Sequence, residues 1–199
     1  YPSSCWKEID GSFYYFDASG YMKTGWVSDG GKWYYCNGSG VMQTGWQVIG
    51  GTWYWFDDDG EMAIGWHTVD SAYYLFAGSG AMLTGWQQSS GTWYYLASSG
   101  AMATGWQAIG GTWYWFADSG AMATGWSRIS GTYYLFAGSG AMLTGLQQSG
   151  GAWYYLAGSG AMQTGWLQLG STWYWFDASG AMATGWRSIG GTYYYFDGS

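Results

Sequence analysis

The sequence predicts an all-β solenoid built from stacked β-hairpins, and three observations carry that prediction. Glycine recurs every 20 residues, at positions 20, 40, 60 and so on to 180. Methionine follows two places later each time, from Met22 and Met42 through to Met182. Each period then closes on an aromatic run: Trp33-Tyr34-Tyr35, Trp53-Tyr54-Trp55, Tyr193-Tyr194-Tyr195. A fixed period of this length marks repeats that bury their apolar face only by stacking on neighbours.

Residues 105–124 show how one repeat folds. Trp106 to Ile109 is a short strand, ended by Gly110-Gly111. Two glycines supply the positive φ that a two-residue hairpin turn needs. Thr112 to Phe116 is β-branched or aromatic throughout, which is strand composition. The Asp118-Ser119-Gly120 stretch is a turn-forming loop. Helix is excluded by the frequency of glycine and by the lack of a 3.6-residue apolar period. Alternation along the second strand puts Tyr114 and Phe116 on one face, with Trp113 and Trp115 on the other beside Trp106. The Phe116-type positions hold only Phe, Leu or Cys and read as core. A lone two-stranded hairpin is marginal in water, so stacking is required.

A slower beat overlies the first. Residues 77–136 and 137–196 are identical at 45 of 60 aligned positions. A superhelix with about three repeats per turn explains this, and so does duplication of a three-repeat block. The whole of 1–199 reads as one repeat domain of about ten hairpins. It begins and ends within a repeat, as expected of a fragment of a longer protein.

Composition narrows the function. The chain has 37 Gly and 18 Trp but only 9% charged residues, so apolar burial must come from aromatics and Met. A net charge of −7 offers no basic patch for phosphates and argues against nucleic acid. No run of 18 apolar residues occurs, which argues against membrane insertion. The single His67 follows Trp66 in a variable position and reads as a solvated side chain. Asp17, Asp57, Asp118, Asp177 and Asp197 sit at hairpin ends, where Asp favours turns, and do not recur as a catalytic pair. The expectation is therefore a non-enzyme without cofactor or metal. Asp57-Asp58-Asp59-Gly60 gathers three carboxylates, but its spacing is not that of a calcium loop. Cys5 and Cys36 leave two readings open, a disulfide capping the N-terminal end or two free thiols acting as small hydrophobes.

The string Gly-Trp-x4-Gly-x-Trp-Tyr-Tyr-Phe-x3-Gly-x-Met-x-Thr-Gly-Trp resembles the choline-binding, or cell-wall-binding, repeat of Gram-positive surface proteins and phage lysins. The resemblance covers essentially all 199 residues. It implies a left-handed superhelix, three hairpins per turn, with choline of teichoic acids bound between successive hairpins. Each site takes two aromatics of one repeat and one of the next, with Met nearby. Carried onto this sequence, the expected cages are Trp6/Phe13/Tyr35, Trp26/Trp33/Trp55, Trp66/Tyr73/Tyr95, Trp86/Trp93/Trp115, Trp126/Tyr133/Tyr155 and Trp166/Trp173/Tyr195. Met42, Met82, Met102, Met142 and Met182 are the expected thioether walls. The third ring is chosen as the one sharing a face with the first-strand Trp. On that choice Leu75 (opposing Trp46/Trp53), Leu135 (opposing Trp106/Trp113) and Leu146 (beside Trp153) mark weak or empty interfaces.

The residue types suit the ligand on physical grounds. A quaternary ammonium cannot donate a hydrogen bond, so it is held by cation–π attraction and by contact with its methyls. Met adds a polarizable wall. Several cages on one polymer raise avidity. The expected partner is thus a choline- or phosphocholine-bearing cell-wall polymer at the bacterial surface, outside the cell. Exposed terminal hairpin faces make a weak homodimer a further expectation. Two rival readings remain: a glucan-binding module, since Trp stacks on sugar rings, and a purely structural spacer. The paired Trp seven residues apart (Trp26/Trp33, Trp86/Trp93, Trp166/Trp173) favour choline over glucan.

Overall fold

A computed structural model describes residues 5–197. All regular structure in them is β, in twenty five-residue strands paired as ten antiparallel two-stranded hairpins. They divide between two compact units, Tyr1–Ala103 and Thr104–Ser199.

The first unit holds β1 (Cys5–Ile9) to β10 (Thr92–Leu96), and the second β11 (Gly105–Ile109) to β20 (Thr192–Phe196). Register is the same throughout: the Gly before each Trp faces the last residue of the aromatic run, as Gly45 faces Phe56 and Gly105 faces Phe116. The Trp then faces the run's third residue, so Trp46 opposes Trp55 and Trp106 opposes Trp115. Gly110 (φ 58) and Gly111 (φ 80) turn the chain as the sequence predicts. The variant Asp70-Ser71 adopts the same left-handed pair, φ 49 and 68, at the steric cost expected of non-glycine residues.

Loops bind the hairpins together. The Met after one hairpin donates its backbone N–H to the hairpin before: Met42 to Phe13, Met62 to Trp33, Met82 to Trp53 and Met102 to Tyr73 in the first unit. Met142, Met162 and Met182 do the same to Trp113, Tyr133 and Trp153 in the second. The Met side chain lies on the glycine of the following loop. A Cβ on Gly60 would stand 2.5 Å from the Met42 sulfur, and Gly60 has φ 80. The 20-residue glycine and methionine periods are therefore one contact seen from both sides.

Each unit's core is centred on its run-ending residues. Cys36, Phe56 and Leu96 in the first unit, and Phe116, Leu156 and Phe176 in the second, are fully buried. That agrees with the sequence reading of these positions. Cys5 and Cys36 are both free, and burial pushes the Cys36 thiol up from its ordinary value. His67 departs from its expected solvation. Its ring lies 5.9 Å from Trp55 and 6.0 Å from Phe76, and its Nδ1 is buried without a hydrogen-bond partner. Alternation explains this, because His67 opposes Tyr74 in register and so takes the stacking face.

Candidate functional site: aromatic cavities between hairpins

The hairpin puts two indoles at right angles. Trp26 on the first strand and Trp33 on the second have ring centroids 6.3 Å apart at 85°. Trp46/Trp53, Trp86/Trp93, Trp106/Trp113 and Trp166/Trp173 repeat the arrangement at 6.1 to 6.4 Å. These rings are not core: Trp26 is 37% exposed and Trp33 46%. A tryptophan held rigidly at such exposure leaves its π face available to a ligand.

The next hairpin places a ring against the first-strand Trp, and it is not the ring expected from the sequence. Tyr54, the middle residue of the run, lies 4.9 Å from Trp26. Tyr34 stands equally close to Trp6, and Tyr74, Tyr134 and Tyr154 each lie 4.8 Å from Trp46, Trp106 and Trp126. Tyr94 and Tyr194 lie 5.0 Å from Trp66 and Trp166. The rings expected there, third in the same runs, lie against their own hairpin instead. Tyr35 lies 5.2 Å from Trp26, Tyr95 5.2 Å from Trp86, and Trp115 5.3 Å from Trp106. Trp55 opposes Trp46, and Tyr155 opposes Leu146 and lies 6.3 Å from Phe176. Tyr195 lines a cavity with its expected pair, Trp166 and Trp173, alongside Tyr194 and Phe196.

The physical reason is that successive hairpins present opposite faces to each other. Trp26 meets both Tyr54 and Phe56, the core-side face of the next hairpin, while Trp53 and Trp55 face onward. A shared face within one repeat is therefore the wrong guide to a contact between repeats. Leu75 and Leu135 consequently do not enter the Trp46 and Trp106 sites; Leu135 is buried opposite Trp126.

Four cavities close in the same way. That of Trp26, Trp33 and Tyr54 measures about 420 Å³ and is completed by Met62, Gly78 and Ser79. Trp106 and Trp113, with Met142, Gly158 and Ser159, enclose about 390 Å³, so this interface, expected to be weak, has a cavity of ordinary size. Trp126, Tyr133 and Tyr154 enclose about 350 Å³ with Met162, Ala178 and Ser179. The smallest, about 240 Å³, is lined by Trp6, Phe13, Tyr34, Met42, Asp58 and Asp59. Trp166 and Trp173 line a wider opening of about 600 Å³. Of the expected set Trp86/Trp93/Trp115, Trp86 and Trp93 belong to the first unit and Trp115 to the second.

Of the expected methionines, Met42 and Met142 line cavities, and Met82, Met102 and Met182 are held against Trp53, Tyr73 and Trp153 by the backbone bond above. Met62 and Met162 were not anticipated, nor were the loop residues Ser79, Ser159 and Ser179 that close each rim from a further repeat along. Leu146 stands where other hairpins carry the first-strand Trp and is 41% exposed.

Polar groups around the cavities are sparse. Trp126 donates its indole N–H to Ser149 Oγ at 3.0 Å. Burial, followed by the negative charge of Glu61, holds the Tyr34 hydroxyl above its usual range, so it stays neutral. Lys32 and Glu61 form an ion pair beside it. Asp57 is a turn residue whose Oδ1 accepts from the Asp59 and Glu61 N–H groups. No group of three or more metal-ligating side chains occurs among the described residues.

The choline-binding repeat pattern matches residues 3–44, 43–83, 63–105, 103–144, 143–184 and 163–199. The chain belongs to the choline-binding repeat family. It is similar to CbpJ of Streptococcus pneumoniae, 36% identical with a TM-score of 0.81, over 98% of this chain and 86% of that one. Choline-binding protein F of the same organism is 31% identical at a TM-score of 0.72, over 96% and 90% of the two chains. The choline-binding domain of CbpL, also from S. pneumoniae, is 28% identical at 0.67, over 92% and 98%. No curated protein sequence matches the chain.

Proposed function

We propose that this chain is a non-catalytic attachment module that holds choline, as the phosphocholine of a cell-wall teichoic acid, in the aromatic cavities between successive hairpins. The observation that carries the reading is the recurring wall set: two indoles near 90°, a tyrosine about 5 Å away from the next hairpin, and a methionine thioether. Such a cavity offers π faces and apolar surface and almost no hydrogen-bond acceptor. That suits a trimethylammonium, which has four methyl or methylene groups to bury and no N–H to satisfy. A sugar would want polar side chains around its hydroxyls, and the Trp26, Trp106 and Trp126 rims each offer a single serine, with carboxylates only at the Trp6 rim. Choline-binding protein F, one of the similar structures, has been solved with a peptidoglycan analogue and with ipratropium, in keeping with a cell-wall role at the bacterial surface.

Each cation–π contact contributes roughly 0.5–2 kcal/mol, so a single cavity binds weakly. Repetition along the chain converts weak sites into retention on a polymer. The test is chromatography on a quaternary-amine support. The chain should be retained and eluted by free choline. Flow-through would favour a spacer, and retention on immobilised glucan unaffected by choline would favour the carbohydrate reading.

A further inference from the structure

The Trp6 cavity differs from its counterparts in charge. Where the Trp26, Trp106 and Trp126 cavities are closed by Gly78-Ser79, Gly158-Ser159 and Ala178-Ser179, it is closed by Asp58-Asp59. It also has Phe13 in place of a second indole and is the smallest of the five. Among the described residues neither carboxylate forms an ion pair, while the nearby Lys32 is already taken by Glu61. Asp57, Asp29 and Glu61 add further negative charge around the Tyr34 wall.

We propose that the Trp6 cavity selects a bare quaternary ammonium over one bonded to a phosphate, with Asp58 and Asp59 as the residues that set the difference. The inference rests on the cage reading above and refines it for one site. Choline brings only positive charge to the rim, so the two carboxylates attract it and make up for the weaker phenyl face. Phosphocholine carries its anion two carbons from the nitrogen, just where the ligand leaves the cavity and meets Asp58 and Asp59. Two unit charges a few ångströms apart in water alter an equilibrium constant by about five-fold. The serine rims carry no such charge and can donate a hydroxyl to the phosphate. The Trp6 site therefore prefers free choline, and the Ser-rimmed sites accept the phosphorylated form without this penalty.

The experiment is fluorine NMR of the full chain labelled with 5-fluorotryptophan, with Trp6 and Trp26 resonances assigned by Trp6→Phe and Trp26→Phe. Choline and phosphocholine are titrated separately at low salt and in about 0.5 M NaCl, where the Debye length falls to roughly 4 Å. The expected result is a phosphocholine-to-choline Kd ratio at Trp6 at least five-fold above that at Trp26, shrinking in salt. The pair Asp58→Gly with Asp59→Ser, which copies the Gly78-Ser79 loop, should bring the Trp6 ratio to the Trp26 value. Asp59→Asn, close to isosteric, should move it part of the way, and gives an independent variant if the double change disturbs the loop. Equal ratios at the two sites in the unaltered chain, or a Trp6 site that stays empty while Trp26 fills, overturn this inference and leave the cage reading standing. Choline bound at no site overturns both.

Discussion

Replacing Tyr54 with leucine removes the wall that the next hairpin supplies to the Trp26 site, while leaving Trp26 and Trp33 in place. The ring stands 4.9 Å from Trp26 and lines the cavity of about 420 Å³ with Met62. Losing one cation–π face costs about 0.5–2 kcal/mol of ligand binding, or roughly two- to thirty-fold in Kd at that site. The edge-on Trp26–Tyr54 contact contributes about another 0.5–1.5 kcal/mol to stacking, so the melting temperature should fall too. Trp55→Leu is the matched control. It copies the natural Leu75 and Leu135, and Trp55 opposes Trp46 of its own hairpin. The assay is choline titration followed at a fluorinated Trp26 or Trp33. Tyr54→Leu should weaken the site by at least two-fold, and Trp55→Leu should leave it within error. The opposite pattern would mean that the third wall is the face-sharing ring after all, and the stacking argument would be refuted.

Leu146→Trp should create a site beside Trp153 and Tyr174, since Leu146 occupies the first-strand Trp position of an otherwise complete repeat; calorimetry should register one additional choline per chain. Gly60→Ala should lower stability by about 1–3 kcal/mol, because alanine must hold φ 80 and its Cβ meets the Met42 sulfur at 2.5 Å; thermal denaturation measures it, with weaker choline binding at Trp6 alongside. Cys5 should be alkylated well before Cys36 at pH 8, because Cys36 is fully buried and its thiol is held above the ordinary range; mass mapping after a timed iodoacetamide pulse decides it. Asp177 accepts hydrogen bonds from Ser179 and from the Ala181 N–H, which hold its carboxyl below the ordinary value. Its contribution is thus present above the ordinary Asp range and lost as pH falls through the lowered folded value. Asp177→Asn keeps the turn, as Asn37 already makes it, but should be less stable than the parent at pH 7, the gap closing on acidification below about pH 4.

The hairpins, their turns and the buried Phe56-type residues were legible because each is specified within one repeat. Gly110-Gly111 encodes its turn locally, and the Phe, Leu and Cys choices at the run's end betray a site that needs only apolar volume. The right-angled Trp26/Trp33 pair was legible for the same reason, lying within a single hairpin. The third wall was not, because it depends on which face the following hairpin turns backward, a relation between repeats. A signal was nonetheless available. The middle residue of the run is tyrosine in all ten repeats, at 14, 34, 54 and so on to 194, while its neighbour varies among Trp, Tyr and Leu. This is the ring that stands about 5 Å from the preceding hairpin's Trp, as Tyr54 does from Trp26 and Tyr134 from Trp106. Ser79 and Ser159 escaped notice because they reach their cavities from loops more than forty residues beyond the first-strand Trp. His67 was misread because a polar residue in a variable position looks solvated unless its strand face is known.

The most direct measurement is a crystal structure of the chain grown with choline. The trimethylammonium should sit among Trp26, Trp33 and Tyr54, within about 6 Å of each ring centroid, and at the equivalent position beside Trp106, Trp113 and Tyr134. Cavities that remain empty at saturating choline, with the indole pairs still in place, would contradict the account and return these aromatics to a packing role alone.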